Sequence, residues 1–124
     1  MGFKVAMALA VYVIPGIMVF FGGLMLDHPP KTINAAYGYR TAMSMLNQDT
    51  WDYAQAACAE RWRRWGRVLA LITLVVLIFA LRRPDFADAL GIYTAFETAY
   101  LLASVAATEM DLRRTFDREG RRKA

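Results

Sequence analysis

Hydrophobic positions in this chain fall into three long runs, and polar positions separate them. The first run, 5–26, has no charged residue and would form a helix about 33 Å long, enough to cross a hydrocarbon core of about 30 Å. The third run, 89–108, carries a single charged residue, Glu97. The second run, 68–81, would be only about 21 Å long, so we expect its helix to begin earlier, at Trp62. The pattern predicts an all-α integral membrane protein with three transmembrane helices at about 5–26, 62–81 and 89–108.

The first run contains residues that shape its helix. Pro15 predicts a kink, because proline lacks the backbone N–H that a helix uses. Gly16, Gly22 and Gly23 leave room for a neighbouring helix to approach closely. The run is too long for a signal peptide and no small-residue cleavage site follows it, so we expect it to be retained as a span.

The segment between the first two runs is mainly polar. Met43 and Leu46, with Tyr39 one turn earlier, form only a weak apolar face. We therefore expect residues 31–46 to form a short helix or a hooked segment that lies at the membrane interface before the second span.

The second span is predicted to continue a helix that starts well before it. Asn47 has the residue type of an N-cap, and Asp49 lies in the first turn, where the helix dipole favours an anion. An apolar stripe follows, made of Trp51, Ala54, Cys58, Trp62 and Trp65, while Asp52, Gln55, Arg63 and Arg67 lie off it. Arginines near the start of the span are expected to reach the lipid headgroups.

The third run differs between its two sides. One side is polar, with Thr94, Glu97, Tyr100 or Leu101, Ser104 and Thr108. The nearly opposite side is a stripe of small residues, Ala95, Ala99, Ala103 and Ala107. Small residues at this spacing allow helices to pack closely in lipid. The pattern therefore predicts that this helix is central in the bundle or that one side is an oligomer contact.

Glu97 is the single charged residue of the third run. A charge near the centre of a bilayer costs about 2.5–3.5 kcal/mol on insertion scales. We expect a protonated side chain that is hydrogen-bonded to Thr94, Tyr100 or Tyr12. Two interpretations stay open: a polar clamp between helices, or a proton- or cation-coupling site in a small oligomeric transporter.

The placement of basic residues predicts the orientation. Of the 15 lysines and arginines, 12 lie around the loop before the second span or in the C-terminal tail. The positive-inside rule places both in the cytoplasm and the N-terminus outside. We expect one membrane domain over 1–124, with a cytoplasmic segment at 31–61 and a solvated basic tail at 110–124 that extends the third helix by two or three turns.

Composition narrows the chemistry further. Hydrophobic residues make up 57% of the chain, against roughly 45–50% in soluble proteins. One cysteine, Cys58, excludes an internal disulfide and a cysteine-based zinc site, and His28 has no ligand partner at a useful spacing. The sequence offers no nucleophile–base pair and no Gly-rich phosphate loop, so we expect no enzyme, no metal and no cofactor. The basic tail lacks interleaved aromatic residues, which favours the lipid bilayer over direct binding to nucleic acid.

Residues 34–51, here called the motif segment, carry the most distinctive pattern. Residue types alone favour an interfacial anchor or a site for a lipid headgroup, because the Arg40 guanidinium can bind a phosphate or a carboxylate. Glu109 lies at the end of the third span, and we expect an Arg40–Glu109 ion pair that fastens the segment to the bundle. The candidate binding residues are Asn34, Gly38, Tyr39, Arg40, Thr41, Ser44, Asn47 and Trp51.

The spacing of these motif residues resembles the SdpI/YfhL family of small bacterial integral membrane proteins. In the tail, Thr108-Glu109 and the run from Phe116 to Gly120 are also similar to short members. The best-known member protects a cell from its own secreted peptide toxin, holds a repressor at the membrane and has more spans than this chain. The resemblance implies a protein of the bacterial cell membrane with an immunity or signalling role, and a peptide toxin or a cytoplasmic regulator as partner.

Overall fold

The computed structural model describes residues 2–123, and the regular secondary structure of this range is helical throughout. Four helices follow one another: α1 (Gly2–Ala10), α2 (Val13–Asp27), α3 (Gln48–Ala80) and α4 (Phe86–Thr115). The all-α class is confirmed. The two ends of the predicted domain, Met1 and Ala124, lie outside the described residues.

The first predicted span consists of two helices, α1 and α2, that are bent by 41° with respect to each other. The break falls between Ala10 and Val13. Pro15 has no N–H to donate to the carbonyl of Val11, four residues earlier, so the helical ladder is interrupted at this point. The predicted kink is present and lies one turn before the proline.

Helix α3 is continuous over 33 residues and joins the predicted amphipathic part to the apolar part. The Asn47 side chain accepts a hydrogen bond from the backbone N–H of Thr50, and the Thr50 hydroxyl accepts one from the backbone N–H of Asn47. This reciprocal capping box satisfies donors that a helix start leaves without partners. The predicted start of the helix is confirmed.

The centre of the bundle is α3, which packs against both α2 and α4, while α2 and α4 make few contacts with each other. Gly22 allows α2 to approach closely, because a Cβ there would lie 2.7 Å from the backbone nitrogen of Arg63. Gly16 and Gly23 instead face open space. On the other side of α3, the Arg61 guanidinium forms an ion pair of 2.7 Å with Asp111 of α4.

Helix α4 is one-sided rather than central. Its polar residues Glu97, Ser104 and Thr108 are buried against α3. Its small-residue side is open, with exposed Ala95, Ala99 and Ala103. The expectation that α4 lies at the centre is therefore wrong, because α3 occupies that place; an oligomer contact on the open side stays a prediction.

One helix of the described residues is by itself long and apolar enough to span a membrane. By length and composition, α4 could cross a membrane, and the bent pair α1–α2 could do so only if both helices are taken as one span. The last 18 residues of α3 contain Arg63, Arg64 and Arg67, which lower the apolar character of that stretch. Three transmembrane helices are thus not confirmed. Large apolar side chains are nonetheless exposed on all four helices, including Leu9, Phe20, Leu71, Phe79, Ile92 and Leu102.

Residues 28–47 form turns and irregular backbone and no helix. The prediction of an interfacial helical segment is wrong in this respect, whereas a hooked path is present. Thr41 and Ser44 use their side chains to bond to each other's backbone N–H groups. Short hydroxyl side chains that bond to the backbone compete with helical hydrogen bonds, and Gly38 has a φ of 112°, which no helix contains.

The C-terminal tail is docked on the bundle and is not a freely solvated extension. Helix α4 continues two turns beyond Thr108, as predicted, and the chain then turns so that Phe116 and Arg122 pair in an isolated β-bridge. Phe116 and Gly120 are buried. Backbone N–H groups of the turn bond to the Asp117 carboxylate, and that of Arg121 contributes most to lowering the pKa of Asp117.

Candidate functional site

The motif segment is attached to α3 through the side chain of Gln55. The Gln55 amide accepts a 2.6 Å hydrogen bond from the backbone N–H of Tyr39 and donates a 2.7 Å bond to the Tyr39 carbonyl. A Cβ on Gly38 would lie 2.6 Å from the Gln55 Oε1 atom, and the φ of 112° at Gly38 is unfavourable for any other L-residue. Glycine is thus required for this close approach.

Glu109 attaches the same segment to α4. The Tyr39 hydroxyl donates to the Glu109 carboxylate at 2.8 Å, and the Thr41 hydroxyl donates to the same oxygen at 2.9 Å. Burial, together with the negative charge of Glu109, raises the pKa of Tyr39 above its usual range. The Tyr39 phenol therefore stays a neutral donor, which is the form that a carboxylate acceptor needs.

Ser44 closes the loop that Tyr39 and Thr41 begin. Its hydroxyl accepts from the backbone N–H of Thr41 at 2.8 Å and lies within bonding distance of the Tyr39 and Thr41 carbonyls. The Thr50 hydroxyl donates to the Ser44 carbonyl at 3.1 Å. Ser44 and Thr50 are fully buried, so these bonds stabilise a loop that no regular structure supports.

The remaining motif residues also bond to the surrounding chain. The Asn34 side chain accepts from the backbone N–H groups of Ala36 and Tyr37. Asn47, besides capping α3, donates to the carbonyl of Gly120 at 2.8 Å and so holds the tail. Trp51 is completely buried, and its indole N–H donates to the carbonyl of Pro30.

Arg40 differs from these motif residues because its side chain is exposed. Among the described residues it forms no ion pair with a carboxylate, and the expected Arg40–Glu109 pair is wrong. Residues 39–41 are not helical. Tyr39 and Thr41 both bond to Glu109, whereas the Arg40 side chain between them is exposed.

Arg40 lies at the rim of a cleft of about 440 Å³ between the motif segment and the helices. Within residues 2–123, it is the only charged residue that lines this cleft. Helix α2 contributes Ile17, Phe21 and Met25; the motif segment contributes Ala36, Tyr37, Gly38, Tyr39, Arg40 and Thr41; and Cys58, Trp62 and Val105 complete the lining. Burial raises the pKa of Cys58 to about 12, so the thiol in the cleft stays protonated and is a poor nucleophile.

Glu97 occupies a second polar site, between α3 and α4, and is 1% exposed. It accepts a 3.2 Å hydrogen bond from the Thr73 hydroxyl, which also bonds to Tyr93 at 2.7 Å. The expected partners bond elsewhere: Thr94 to the carbonyl of Leu90, Tyr100 to that of Trp65 and Tyr12 to that of Ala70. The structure allows both the clamp and the coupling-site interpretation of Glu97.

Sequence reasoning missed Gln55 and Thr73. Gln55 lies off the apolar stripe of the sequence, yet it is 3% exposed. Its position four residues after Trp51 puts both side chains on the same side of the helix, and that spacing was a usable signal. Thr73 lies in the middle of the apolar run of α3. A polar residue at such a position indicates a bond to another buried polar group, which here is Glu97. No group of His, Cys, Asp and Glu within the described range is arranged to hold a metal ion.

Comparison with known proteins identifies the family. The family model of the SdpI/YfhL protein family matches residues 31–107, which is more than half of the chain. This chain belongs to the SdpI/YfhL family. The matched range contains the whole motif segment and Glu97 and ends before Glu109. Family membership and the apolar helix α4 together indicate membrane association.

A relative from Bacillus subtilis (strain 168), described as the uncharacterized protein YfhL, is 39% identical over 61 residues. The alignment covers 49% of this chain and 56% of the relative. The chain thus spans little more than half the length of the relative it matches. No solved structure matches the chain.

Proposed function

We propose that this SdpI/YfhL protein is a multi-pass protein of the bacterial cell membrane with an immunity or signalling role against a membrane-active peptide. It works by binding, without a catalytic step. A peptide toxin or a cytoplasmic regulator is the expected partner. The N-terminus lies outside and the basic tail lies in the cytoplasm, in accordance with the positive-inside rule.

The observation that carries this proposal is the fixed position of the motif segment. Most of the motif segment belongs to the irregular loop 28–47, which has 20 residues. Gln55 and the Asn47 cap attach this loop to α3, and Glu109 attaches it to α4. The loop forms one wall of a cleft whose other walls are apolar. A binding surface that is ordered in advance loses less conformational entropy when a partner binds. This arrangement suits recognition of an amphipathic molecule that reaches the protein from the bilayer.

A second candidate function is a small transporter that uses Glu97. Its support is the buried Thr73–Glu97 contact, because an ionisable residue inside a membrane bundle often belongs to an ion or proton path. Immunity by binding does not require a carboxylate there. Replacement of Glu97 by glutamine therefore separates the two functions.

The test is a survival assay in a sensitive bacterial strain that expresses the chain. Cells are challenged with the peptide toxin against which SdpI-type immunity proteins protect, and survival and membrane potential are recorded. We expect the wild type to protect, Arg40→Ala to protect less, and Glu97→Gln to protect as well as the wild type. Arg114→Ala is the matched control, since Arg114 is also exposed but lies outside the cleft.

Membrane accumulation of each variant is measured by immunoblot, so that loss of protein is not mistaken for loss of function. A wild-type chain that accumulates in the membrane and gives no protection contradicts the immunity role. Protection that disappears in Glu97→Gln at normal accumulation supports the transporter instead.

A further inference from the structure

The cleft beside Arg40 has the chemical form of a site for an amphiphile. Its α2 wall runs from Ile17 to Met25, a length of about 12 Å on a helix, and all three α2 side chains that line it are apolar. Ile17 and Phe21 are 42% and 38% exposed, so the apolar α2 wall of the cleft is accessible from outside the bundle. A molecule bound there would contact the apolar α2 side chains and the exposed Arg40 guanidinium.

The positive charge of Arg40 at the rim of the cleft favours a ligand that carries an anionic group. One carboxylate oxygen of Glu109 accepts hydrogen bonds from the hydroxyls of Tyr39 and Thr41, the two residues beside Arg40. The other carboxylate oxygen lies 3.9 Å from the Arg113 guanidinium. The Arg40 guanidinium thus keeps its donors for an external partner, and its planar fork matches a phosphate. Since no carboxylate of the described part of the chain lines the cleft, a zwitterionic headgroup would find no partner for its ammonium group.

The volume of the cleft is about 440 Å³. It lies within the range of roughly 300–1,000 Å³ that is typical of sites for small molecules. Basic sites between helices at the cytoplasmic side of a membrane commonly bind anionic headgroups.

We propose that this cleft binds one acidic phospholipid, with its phosphate on Arg40 and one acyl chain between α2 and Val105. The lipid site stands on the cleft geometry and does not depend on the immunity role. Loss of lipid binding and loss of toxin protection are measured separately, so either proposal can fail alone.

The experiment uses the purified full chain in phosphatidylcholine vesicles that contain a small fraction of phosphatidylglycerol with a photoreactive diazirine in one acyl chain. After irradiation, the labelled peptides are identified by mass spectrometry. We expect adducts to concentrate on residues 17–25 and on the peptide containing Val105. Diazirine-labelled phosphatidylcholine should give far fewer adducts at these positions.

Two pairs of variants make the test specific. Arg40→Ala should reduce labelling at the cleft about tenfold, as expected for the loss of a hydrogen-bonded charge, while the exposed Arg114→Ala should leave it unchanged. Val105→Phe fills the cleft and should also abolish labelling, whereas Ala106→Phe, on the next and exposed position, should not.

Labelling that is spread evenly over the exposed apolar faces and is the same in all variants would overturn the proposal, because it would describe only lipid around the protein. Equal labelling of the cleft by phosphatidylcholine and phosphatidylglycerol would overturn the choice of an acidic headgroup. Arg40 has no side-chain partner among the described residues, so Arg40→Ala is expected to fold normally.

Discussion

Replacement of Trp51 by alanine is expected to destabilise the protein by about 3–5 kcal/mol, the range for truncating a large buried aromatic residue. Trp51 has no exposed surface, and its indole N–H donates to the carbonyl of Pro30. The change therefore leaves both a cavity and a carbonyl without its donor. The measurement is the midpoint of unfolding in mixed detergent micelles, followed by circular dichroism.

Trp51→Phe separates the two contributions of Trp51. Phenylalanine keeps most of the apolar volume but cannot donate to Pro30, so we expect a smaller loss, about 1–3 kcal/mol for an unsatisfied acceptor and a partial cavity. Equal and small effects of both variants would show that Trp51 lies in lipid at the interface, as a simple aromatic anchor, and not in the core.

Replacement of Gly38 by alanine is expected to cost about 3 kcal/mol or more, from backbone strain and lost hydrogen bonds together. The φ of 112° disfavours any side chain, and a Cβ would meet both the Gln55 Oε1 atom and the Pro30 ring. To relieve the clash, Gln55 would have to release the Tyr39 backbone. The expected result is a lower unfolding midpoint together with faster amide exchange across the motif segment.

Gly23→Ala is the matched control for Gly38→Ala. Gly23 lies in α2, and a Cβ added there would have no neighbouring atom within 4 Å, so alanine should be neutral or slightly stabilising. In a Gln55→Ala background, the cost of Gly38→Ala should fall, because one of the two clashes is absent. An unchanged cost would place the strain in the Pro30 contact or in the backbone alone.

The helices were the predictable part of the fold. Apolar runs and the Asn47 cap predicted where α3 begins and that it continues into the apolar stretch, since these features depend on residues close in sequence. Pro15 likewise predicted the kink between α1 and α2. The predicted helical segment before the second span is wrong, because side chains there replace backbone hydrogen bonds. Thr41 and Ser44 do so in the irregular loop.

The partners of the candidate site residues were harder to predict, because they are distant in sequence. Glu109 is recognisable from the sequence as a fastening residue, but charge alone favours Arg40 as its partner. In the structure, the neutral hydroxyls of Tyr39 and Thr41 take that place. The Arg40 side chain is exposed and takes no part in this contact, and the sequence does not show that residues 39–41 are non-helical.

These contacts divide the family motif into two kinds of residue. Gly38, Tyr39, Thr41, Ser44 and Asn47 hold the segment in place, and Arg40 faces outward at the rim of the cleft. The first kind should affect stability when changed, and Arg40 should affect binding with little change in stability. This division is the central claim, and it depends on the Tyr39–Glu109 contact.

A double-mutant cycle between Tyr39→Phe and Glu109→Leu tests that contact most directly. Free energies of unfolding are measured for the wild type, both single variants and the double variant. The control cycle pairs Tyr37→Phe with Glu109→Leu, since the Tyr37 hydroxyl bonds to the carbonyl of His28 and not to Glu109. We expect a coupling energy of about 1 kcal/mol or more for Tyr39 with Glu109, and additivity within about 0.5 kcal/mol for Tyr37 with Glu109. Additivity in both cycles would mean that the Tyr39–Glu109 contact does not hold the motif segment, and the central claim, which depends on that contact, would be wrong.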